Sequence, residues 1–535
     1  MHPGSRRVLT VVLTAAVATA APSSPRLFAA AASPTAAAAA PDARPGPAPA
    51  PPAASGPPAT GAAAPLDAGP GLDASVSAAE SFPVASDFGP HYILEGIEIR
   101  GNDKTEAQLI LGEIELRVGE EIAASDPRVE AARIRLLSLG YFLGVHLALE
   151  RGQRRGGAVL VVEVEERGTI ILNALHLGSS AATAFWGGMD LAENNFLGRG
   201  ISVGGGFVAS TRPSVADANH DVAARLRALV PPLGDTGLML TATALASSGS
   251  EFYRAQGGPE DGSRPSDFVA LRIRRAGGVL GLGRTLTHVS RLFIDFREEG
   301  IAADYPTDTV TLANPGKPGV PTAIDFGART GFSRVGSLTA TLDFDTRSDP
   351  LVPRAGSHVV LSVEGATDDL GSSYSYLKLL LQGEFYRPVW RHHVVGLHLL
   401  AGEIFGSAPI FDRFFVGDLD LFLPPRALGI NFSTESPHNW LGSGISSHRF
   451  ENTAARILGE YSIPVWRRHR LVYSGDFFVA FGAFGLADRN AFLTPGASGL
   501  AAWPISLTGD LGLRLDTYIG VFTLSFANAL GRLPF

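Results

Sequence analysis

Most of the chain shows a regular alternation of apolar and polar residues. From residue 168 to residue 535, alternating segments of about ten residues are separated by residues typical of turns. Examples are residues 201–209, 238–245, 269–275, 338–344, 359–364, 376–385, 394–403, 470–478 and 508–515. In a transmembrane barrel, such a strand turns one face to lipid and the other to the lumen. The pattern therefore predicts a mainly β fold, with an antiparallel transmembrane β-barrel over residues 168–535.

The number of candidate strands in this barrel is odd. About eleven precede a long loop at about residues 405–451 and about four follow it, whereas single-chain bacterial barrels have even strand numbers. We expect about sixteen strands, so that one closing strand is not identified. A soluble β-sandwich or propeller is the alternative interpretation of the same segments. Aromatic residues near predicted strand ends favour the barrel, because barrels carry aromatic girdles at both membrane interfaces.

Residues 89–167 show a different pattern, which is typical of a small α+β domain. The predicted order is strand, helix, helix, strand, strand, at residues 92–100, 105–116, 126–140, 145–150 and 158–166. The second helix is the better marked of the two, because Asp126 can cap its N-terminus, Pro127 fits its first turn and Gly140 can end it. One small domain is thus expected to precede the barrel.

The N-terminal segment has the features of an export signal. Arg6 and Arg7 precede an apolar run that ends at about residue 21 and is too short to span a bilayer as a helix. We expect residues 1–21 to be a signal peptide, with a retained anchor as the alternative. Residues 22–88 are mainly Ala, Pro, Gly and Ser, which cannot bury enough apolar surface to fold. This composition predicts a disordered, extended tether.

Composition and motifs argue against catalysis. The chain has no Cys, which excludes thiolate metal sites and cysteine nucleophiles. No basic stripe with interleaved aromatic residues occurs, so nucleic acid is not an expected partner. Residues 200–204 match the Gly-x-Ser-x-Gly pattern of hydrolases, but that site needs a following helix and the alternation predicts more strand. We predict a protein that is not an enzyme, with no catalytic, cofactor-binding or metal site.

Several motifs resemble those of the BamA/TamA superfamily of outer-membrane assembly and translocation proteins. Residues 92–167 resemble one POTRA domain in the order of their elements. They also resemble it in the phrases Gly101–Thr105, Leu139–Phe142 and Val164–Arg167. Residues 190–200 (DLAENNFLGRG) are similar to the family's early barrel hairpin. Residues 345–356 resemble its turn between middle strands. The resemblance covers everything after the tether.

The resemblance implies a mechanism based on strand edges rather than chemistry. The first and last barrel strands would meet at a weak seam, here residues 169–177 and 519–528. The edge of the POTRA-like sheet, at residues 145–150, would pair with an extended strand of a client protein. Val145, Leu147 and Leu149 are the candidate residues of this edge. The implied partners are unfolded outer-membrane or secreted proteins, outer-membrane lipid, and periplasmic chaperones or assembly lipoproteins. The barrel would lie in the bacterial outer membrane, with the POTRA-like domain and the tether in the periplasm.

The resemblance also implies a loop that is folded into the lumen and held there by an arginine. Arg426 and Gly429 stand where the family carries a Val-Arg-Gly-Phe/Tyr motif, and Glu460 is the preferred acidic partner. The next strand has Ala480 where the family carries an acid, so that Asp476 is the alternative partner. Bidentate pairing with a carboxylate would fix the guanidinium inside the barrel.

Two other functions remain open at this stage. The first is a secretion pore of the two-partner type, although such pores usually have two POTRA domains and a plug helix. The second is a passive channel or structural barrel that shares the scaffold. The sequence favours an assembly, insertion or translocation factor over both.

Overall fold

A computed structural model describes residues 90–179, 183–213, 220–232, 236–254, 268–304, 311–313, 321–323, 327–419, 426–432, 450–467, 472–487, 489 and 505–531. The signal peptide and the tether predicted for residues 1–88 lie outside the described residues, as do parts of the long loop. No helix in the described part of the chain is long and apolar enough to cross a bilayer.

The first described unit is a four-stranded sheet with two helices. Its elements are β1 (His91–Arg100), α1 (Ala107–Gly112), β2 (Glu121–Ala123), α2 (Pro127–Ser138), β3 (Phe142–Arg151) and β4 (Gly157–Glu166). The strand order is β2-β1-β4-β3, in which β1 and β4 are parallel and the other pairs antiparallel. The predicted elements are present, with β2 in addition. Three residues are too few for alternation to reveal a strand, and β2 exists through its pairing with β1.

Local signals define α2, and packing completes this N-terminal domain. The Asp126 side chain accepts a hydrogen bond from the backbone N–H of Arg128, which caps the helix. The helix ends before Gly140, whose φ of +75° suits glycine. The core between helices and sheet contains Leu94, Ile110, Ile122, Ala132, Leu136, Val145, Leu160, Val162 and Val164.

The second unit is a sheet of fifteen strands among the described residues. Its strands are β5 (Ile170–Gly178), β6 (Trp186–Phe196), β7 (Ile201–Ser210), β8 (Val222–Val230), β9 (Leu238–Arg254), β10 (Phe268–Thr287), β11 (Ser290–Asp304), β14 (Gly331–Asp345), β15 (Gly356–Ala366), β16 (Tyr376–Pro388), β17 (Val394–Gly406), β20 (Thr453–Arg467), β21 (Val472–Ala487), β22 (Ile505–Thr517) and β23 (Gly520–Gly531). Each pairs antiparallel with its neighbours in chain order. Eleven strands precede the long loop and four follow it, as the alternation predicts.

Short elements lie outside this sheet. Two antiparallel pairs are β12 (Thr311–Ala313) with β13 (Pro321–Ala323), and β18 (Phe414–Phe415) with β19 (Phe450–Glu451). Short 3-10 helices occupy Asp368–Leu370, Trp390–His392 and Val416–Asp418.

The odd number of described strands determines the relative direction of the first and last strands of the barrel. Because all neighbours are antiparallel, the first and fifteenth strands, β5 and β23, run in the same direction. No hydrogen-bonded ladder joins them within the described residues. Fifteen of the about sixteen expected strands are therefore present among the described residues. We call the line between β5 and β23 the seam.

The side chains of the barrel strands show the polarity of a membrane protein. In β11, the apolar Leu292, Ile294 and Phe296 are exposed, whereas the intervening Asp295 and Arg297 are buried. A soluble sheet would bury the apolar set and expose the charges. The arrangement is that of a lipid-facing outer surface and a polar lumen, which favours the barrel over the soluble alternative.

We expect Ile294→Arg to destabilise the barrel by roughly 2–4 kcal/mol in a bilayer, because a guanidinium would replace an apolar side chain on the lipid-facing surface. Urea titration of protein refolded into phospholipid vesicles measures this change. The control is Ile134→Arg, at an exposed isoleucine on α2, which we expect to move the barrel transition by less than about 0.5 kcal/mol. Equal effects of the two substitutions would contradict the assignment of this face to lipid.

Candidate functional site

The seam is held at the end of the barrel next to the N-terminal domain. The backbone N–H of Leu172 donates to the carbonyl of Ile519 at 2.8 Å. A buried ion pair joins Arg167, which precedes β5, to Asp516 on β22 at 3.1 Å. An apolar cluster at the same end contains Ile171, Leu351, Val352 and Val521. The described contacts across the seam are therefore concentrated at one end of it.

A second strand edge lies in the N-terminal domain. Strand β3 pairs with β4 on one side and, among the described residues, is the last strand of its sheet. Val145 is buried, and Leu147 and Leu149 pack against the domain core. Residues His146, Ala148 and Glu150 are the exposed set. The three candidate residues therefore face the core, and the free edge of the predicted segment consists of backbone N–H and C=O groups.

The turn between β6 and β7 docks on the N-terminal domain. The amide of Asn195 donates to the Thr105 hydroxyl at 2.9 Å, and the backbone N–H of Glu106 donates to the Gly198 carbonyl at 2.9 Å. The Arg199 guanidinium pairs with the Glu106 carboxylate at 2.8 Å. We call these contacts the domain joint. The motif at residues 190–200 and the phrase at residues 101–105 thus form two sides of one interface, which sequence reasoning missed.

Glycine is required in this joint by both conformation and space. Gly198 has a φ of +73°, and a Cβ there would lie 2.1 Å from the Lys104 carbonyl oxygen. Gly200 has a φ of +69°, and a Cβ there would lie 2.7 Å from Leu109. Backbone contact as close as that at Gly198 excludes a larger residue unless the two domains separate.

Buried polar groups complete the joint. Burial raises the pKa of Tyr141 above its usual value, so that its hydroxyl remains a donor, and it lies 3.4 Å from the Gly200 carbonyl oxygen. The Glu166 carboxylate accepts hydrogen bonds from the backbone N–H groups of Lys104, at 3.1 Å, and Thr105, at 2.7 Å. Glu166 therefore shapes the segment that receives the barrel turn.

The long loop after β17 enters the lumen. Its described residues include an apolar set that packs against inward-facing residues of strands around the wall. The loop members are Ala408, Ile410, Phe411, Phe414, Phe415, Leu419 and Phe450, and wall members include Leu271, Ile301, Val335, Leu400, Ile404 and Phe484. At this level the lumen contains packed apolar side chains.

The structure does not bring Arg426 to Glu460. The Arg426 guanidinium pairs with the Asp418 carboxylate and donates to the Phe411 carbonyl at 3.3 Å. It also lies over the ring of Phe415, 5.2 Å from the centroid. These partners belong to the loop itself. The predicted pair of Arg426 with Glu460 is therefore replaced by a pair with Asp418, which lies eight residues earlier in the same loop.

The predicted acidic partners are engaged elsewhere on the wall. Glu460 accepts two hydrogen bonds from Arg514, at 2.8 and 2.9 Å, in a bidentate pair. Asp476 lies 3.4 Å from the Arg354 guanidinium. Each acid already has a cation, Arg514 on β22 for Glu460 and Arg354 in the β14–β15 turn for Asp476, which leaves little capacity for an arginine from the loop.

Gly429 lies at the tip of a tight turn in the loop. Ala427 and Ile430 exchange backbone hydrogen bonds of 2.8 and 3.0 Å around Leu428 and Gly429. Both central residues have positive φ, +48° for Leu428 and +86° for Gly429, as a type I′ turn requires. Beyond this turn, the Phe432 ring stacks on Trp186 of β6 at 4.9 Å between centroids. The loop tip therefore contacts the strand next to β5.

Comparison with known proteins gave one domain match and several structural matches. The Omp85 superfamily domain matches residues 195–532. No curated protein matches the chain. Among solved structures, BamA from Haemophilus ducreyi lacking POTRA domains 1–3 is 14% identical, with 83% of this chain and 82% of that chain covered and a TM-score of 0.43. CdiB from Escherichia coli is 11% identical, with 82% and 76% covered and a TM-score of 0.48.

We expect Gly198→Ala to loosen the domain joint at a cost of about 1–3 kcal/mol, because the methyl group would collide with the Lys104 carbonyl. Limited trypsin digestion measures this as faster cleavage between the N-terminal domain and an intact barrel. The control is Gly331→Ala, which imposes a similar φ but has nothing within 4 Å of the added methyl group. If both variants are cleaved at the rate of the parent, the joint does not depend on this close approach.

Proposed function

Because this chain belongs to the Omp85 superfamily, whose members are outer-membrane protein insertion or secretion factors, we propose that it inserts other proteins into that membrane. It does so by pairing their strands with its own strand edges, without a chemical step. The N-terminal domain and the tether lie in the periplasm in this proposal. The clients are unfolded outer-membrane or secreted proteins, and the surrounding lipid is the second partner.

The seam is the observation that carries the proposal. A backbone edge in hydrocarbon has no water to bond, so an unpaired strand edge is costly. Among the described residues, strands β5 and β23 each have one edge with no ladder partner, and the contacts across the seam cluster around Leu172 and Ile519. An incoming client strand would pair with an edge that the barrel itself satisfies poorly. The energy for insertion would then come from backbone pairing and from burial of the client in lipid.

The β3 edge would act before the seam. An extended client segment can add to this edge through main-chain hydrogen bonds, while Val145, Leu147 and Leu149 keep the sheet attached to its core. The domain joint then fixes where that edge stands relative to the barrel. Periplasmic chaperones or assembly lipoproteins are proposed as further partners that would deliver clients to this domain.

The apolar loop segment argues for insertion over the two alternatives. A passive channel needs an open lumen, whereas the described loop residues pack apolar side chains against the wall. A two-partner secretion pore is usually plugged as well, but its cargo has to pass through the lumen. Transport through the lumen would require this packed segment to leave. Insertion at the seam would leave the segment in place.

Depletion of the protein in its native cell, followed by quantitative proteomics of the outer membrane, tests the proposed function. We expect many barrel proteins to decrease together, because each would need the seam for insertion. Loss of one exported protein alone would favour dedicated secretion. An unchanged outer-membrane proteome would contradict both and leave a passive barrel.

A reversible lock tests the seam itself. The chain has no native cysteine, and Ile171 and Val521 share the apolar cluster across the seam. We expect the double variant Ile171→Cys with Val521→Cys to lose client insertion when oxidised and to regain it after reduction. Insertion of a radiolabelled barrel protein into proteoliposomes measures this. Each single variant is the control, and full activity of the cross-linked protein would exclude opening of the seam at this end.

A further inference from the structure

A buried aspartate attaches the lumen loop to the barrel wall. Asp412 lies in the loop segment after β17 and is fully buried, with 0% of its surface exposed. The Arg297 guanidinium on β11 lies 3.2 Å from one carboxylate oxygen, and the Tyr376 hydroxyl on β16 lies 3.1 Å from the other. The Lys378 ammonium donates to the backbone carbonyl of Asp412 at 2.8 Å. Three side chains from two wall strands therefore converge on this one loop residue.

Among the described side chains around Asp412, the wall contributes one more cation than acids. Arg297 also pairs with Glu299 at 2.7 Å and with Glu364 at 3.2 Å, and Arg275 pairs with Glu299 at 2.8 Å. The wall cations in this cluster are Arg275, Arg297 and Lys378, and the wall acids are Glu299 and Glu364. Asp412 supplies the third acid. Counted over these described side chains alone, the formal charges sum to zero with Asp412 in place and to one positive charge without it.

We propose that Asp412 is the positioning residue that holds this loop in the lumen, and that the polarity of the attachment is the reverse of the one the family resemblance implies. Here the loop contributes the acid and the wall contributes the cations. This inference does not rest on the proposed function, since it concerns where the loop lies and not what the barrel inserts.

The contacts of Arg426 give it a different role. Its partners are Asp418, the Phe411 carbonyl and the ring of Phe415, all within the loop. Arg426 therefore shapes the loop, whereas Asp412 connects it to β11 and β16. The loop has other described wall contacts besides the Phe432–Trp186 stack. Arg456 donates to the Leu419 carbonyl at 3.1 Å, a backbone acceptor that any residue could provide, and the Asn431 amide donates to Glu251 on β9 at 3.5 Å, a long contact.

Cysteine labelling tests this proposal on the full-length protein. Because the chain has no native cysteine, Ala408→Cys gives a single reporter at a buried loop position. A polar, membrane-impermeant maleimide added to protein in proteoliposomes reports how often the loop leaves the lumen. We expect Asp412→Asn to raise the labelling rate about tenfold or more, because a neutral amide replaces the loop carboxylate that pairs with the buried Arg297 guanidinium. Asp418→Asn, the matched acid of the same loop, is expected to change the rate by less than about threefold, because its described ion-pair partner Arg426 lies in the loop and not on the wall.

The outcomes separate the two possible attachments. Equal labelling of Asp412→Asn and the Ala408→Cys parent would overturn the proposal. So would a rise of the same size in Asp418→Asn or in Glu460→Gln, since these remove the acids that an arginine-based lock would use. Heat-modifiable migration in electrophoresis shows whether each barrel is folded. If the Asp412→Asn variant does not fold, the labelling rate of the Tyr376→Phe variant tests the proposal instead. It removes one hydrogen-bonding hydroxyl and keeps every charge, and a rate equal to that of the parent would also overturn the proposal.

Discussion

Pairing of backbone polar groups in hydrocarbon is the constraint on which the rest of this structure depends. The bilayer offers no partner to an N–H or C=O group, so every strand in it needs a neighbour on each side. Antiparallel pairing in chain order meets this need for the interior strands. In the described part of the chain it leaves β5 and β23 with one unpaired edge each, and because the fifteen described strands are an odd number these two strands run in the same direction. The requirement that builds the wall therefore also leaves a weak line in it, which supports a function at the seam.

The same solvent reverses the usual distribution of side chains and makes the lumen a charged interior. Apolar residues such as Ile294 and Phe296 face outward, so inward positions can carry acids and arginines. Buried charges are stable only when paired. The wall satisfies most of them by itself, as in the bidentate pair of Glu460 with Arg514. Around Arg297 the balance is completed by the loop, which connects the position of the loop to the electrostatics of the wall.

The two domains meet through backbone as much as through side chains. The β6–β7 turn approaches the N-terminal domain so closely that no methyl group fits between Gly198 and the Lys104 carbonyl. Such an approach is specific because it depends on residues at both sides, Asn195 with Thr105 and Arg199 with Glu106. If the β3 edge binds clients as proposed, its place relative to the seam must be defined, and the contacts of the joint would define it.

The sequence by itself determined the features that depend on neighbouring residues. Alternation predicts the strands and their grouping into eleven and four, and Asp126 with Gly140 predicts the limits of α2, because these signals act within a few residues. Only the tertiary structure decided which charges pair. Arg297 and Asp412 are 115 positions apart in sequence, and their contact depends on barrel curvature and on the path of a loop through the lumen. The expected pair of Arg426 with Glu460 failed for this reason. A motif indicates that an arginine needs an acid, but packing determines which acid lies within reach.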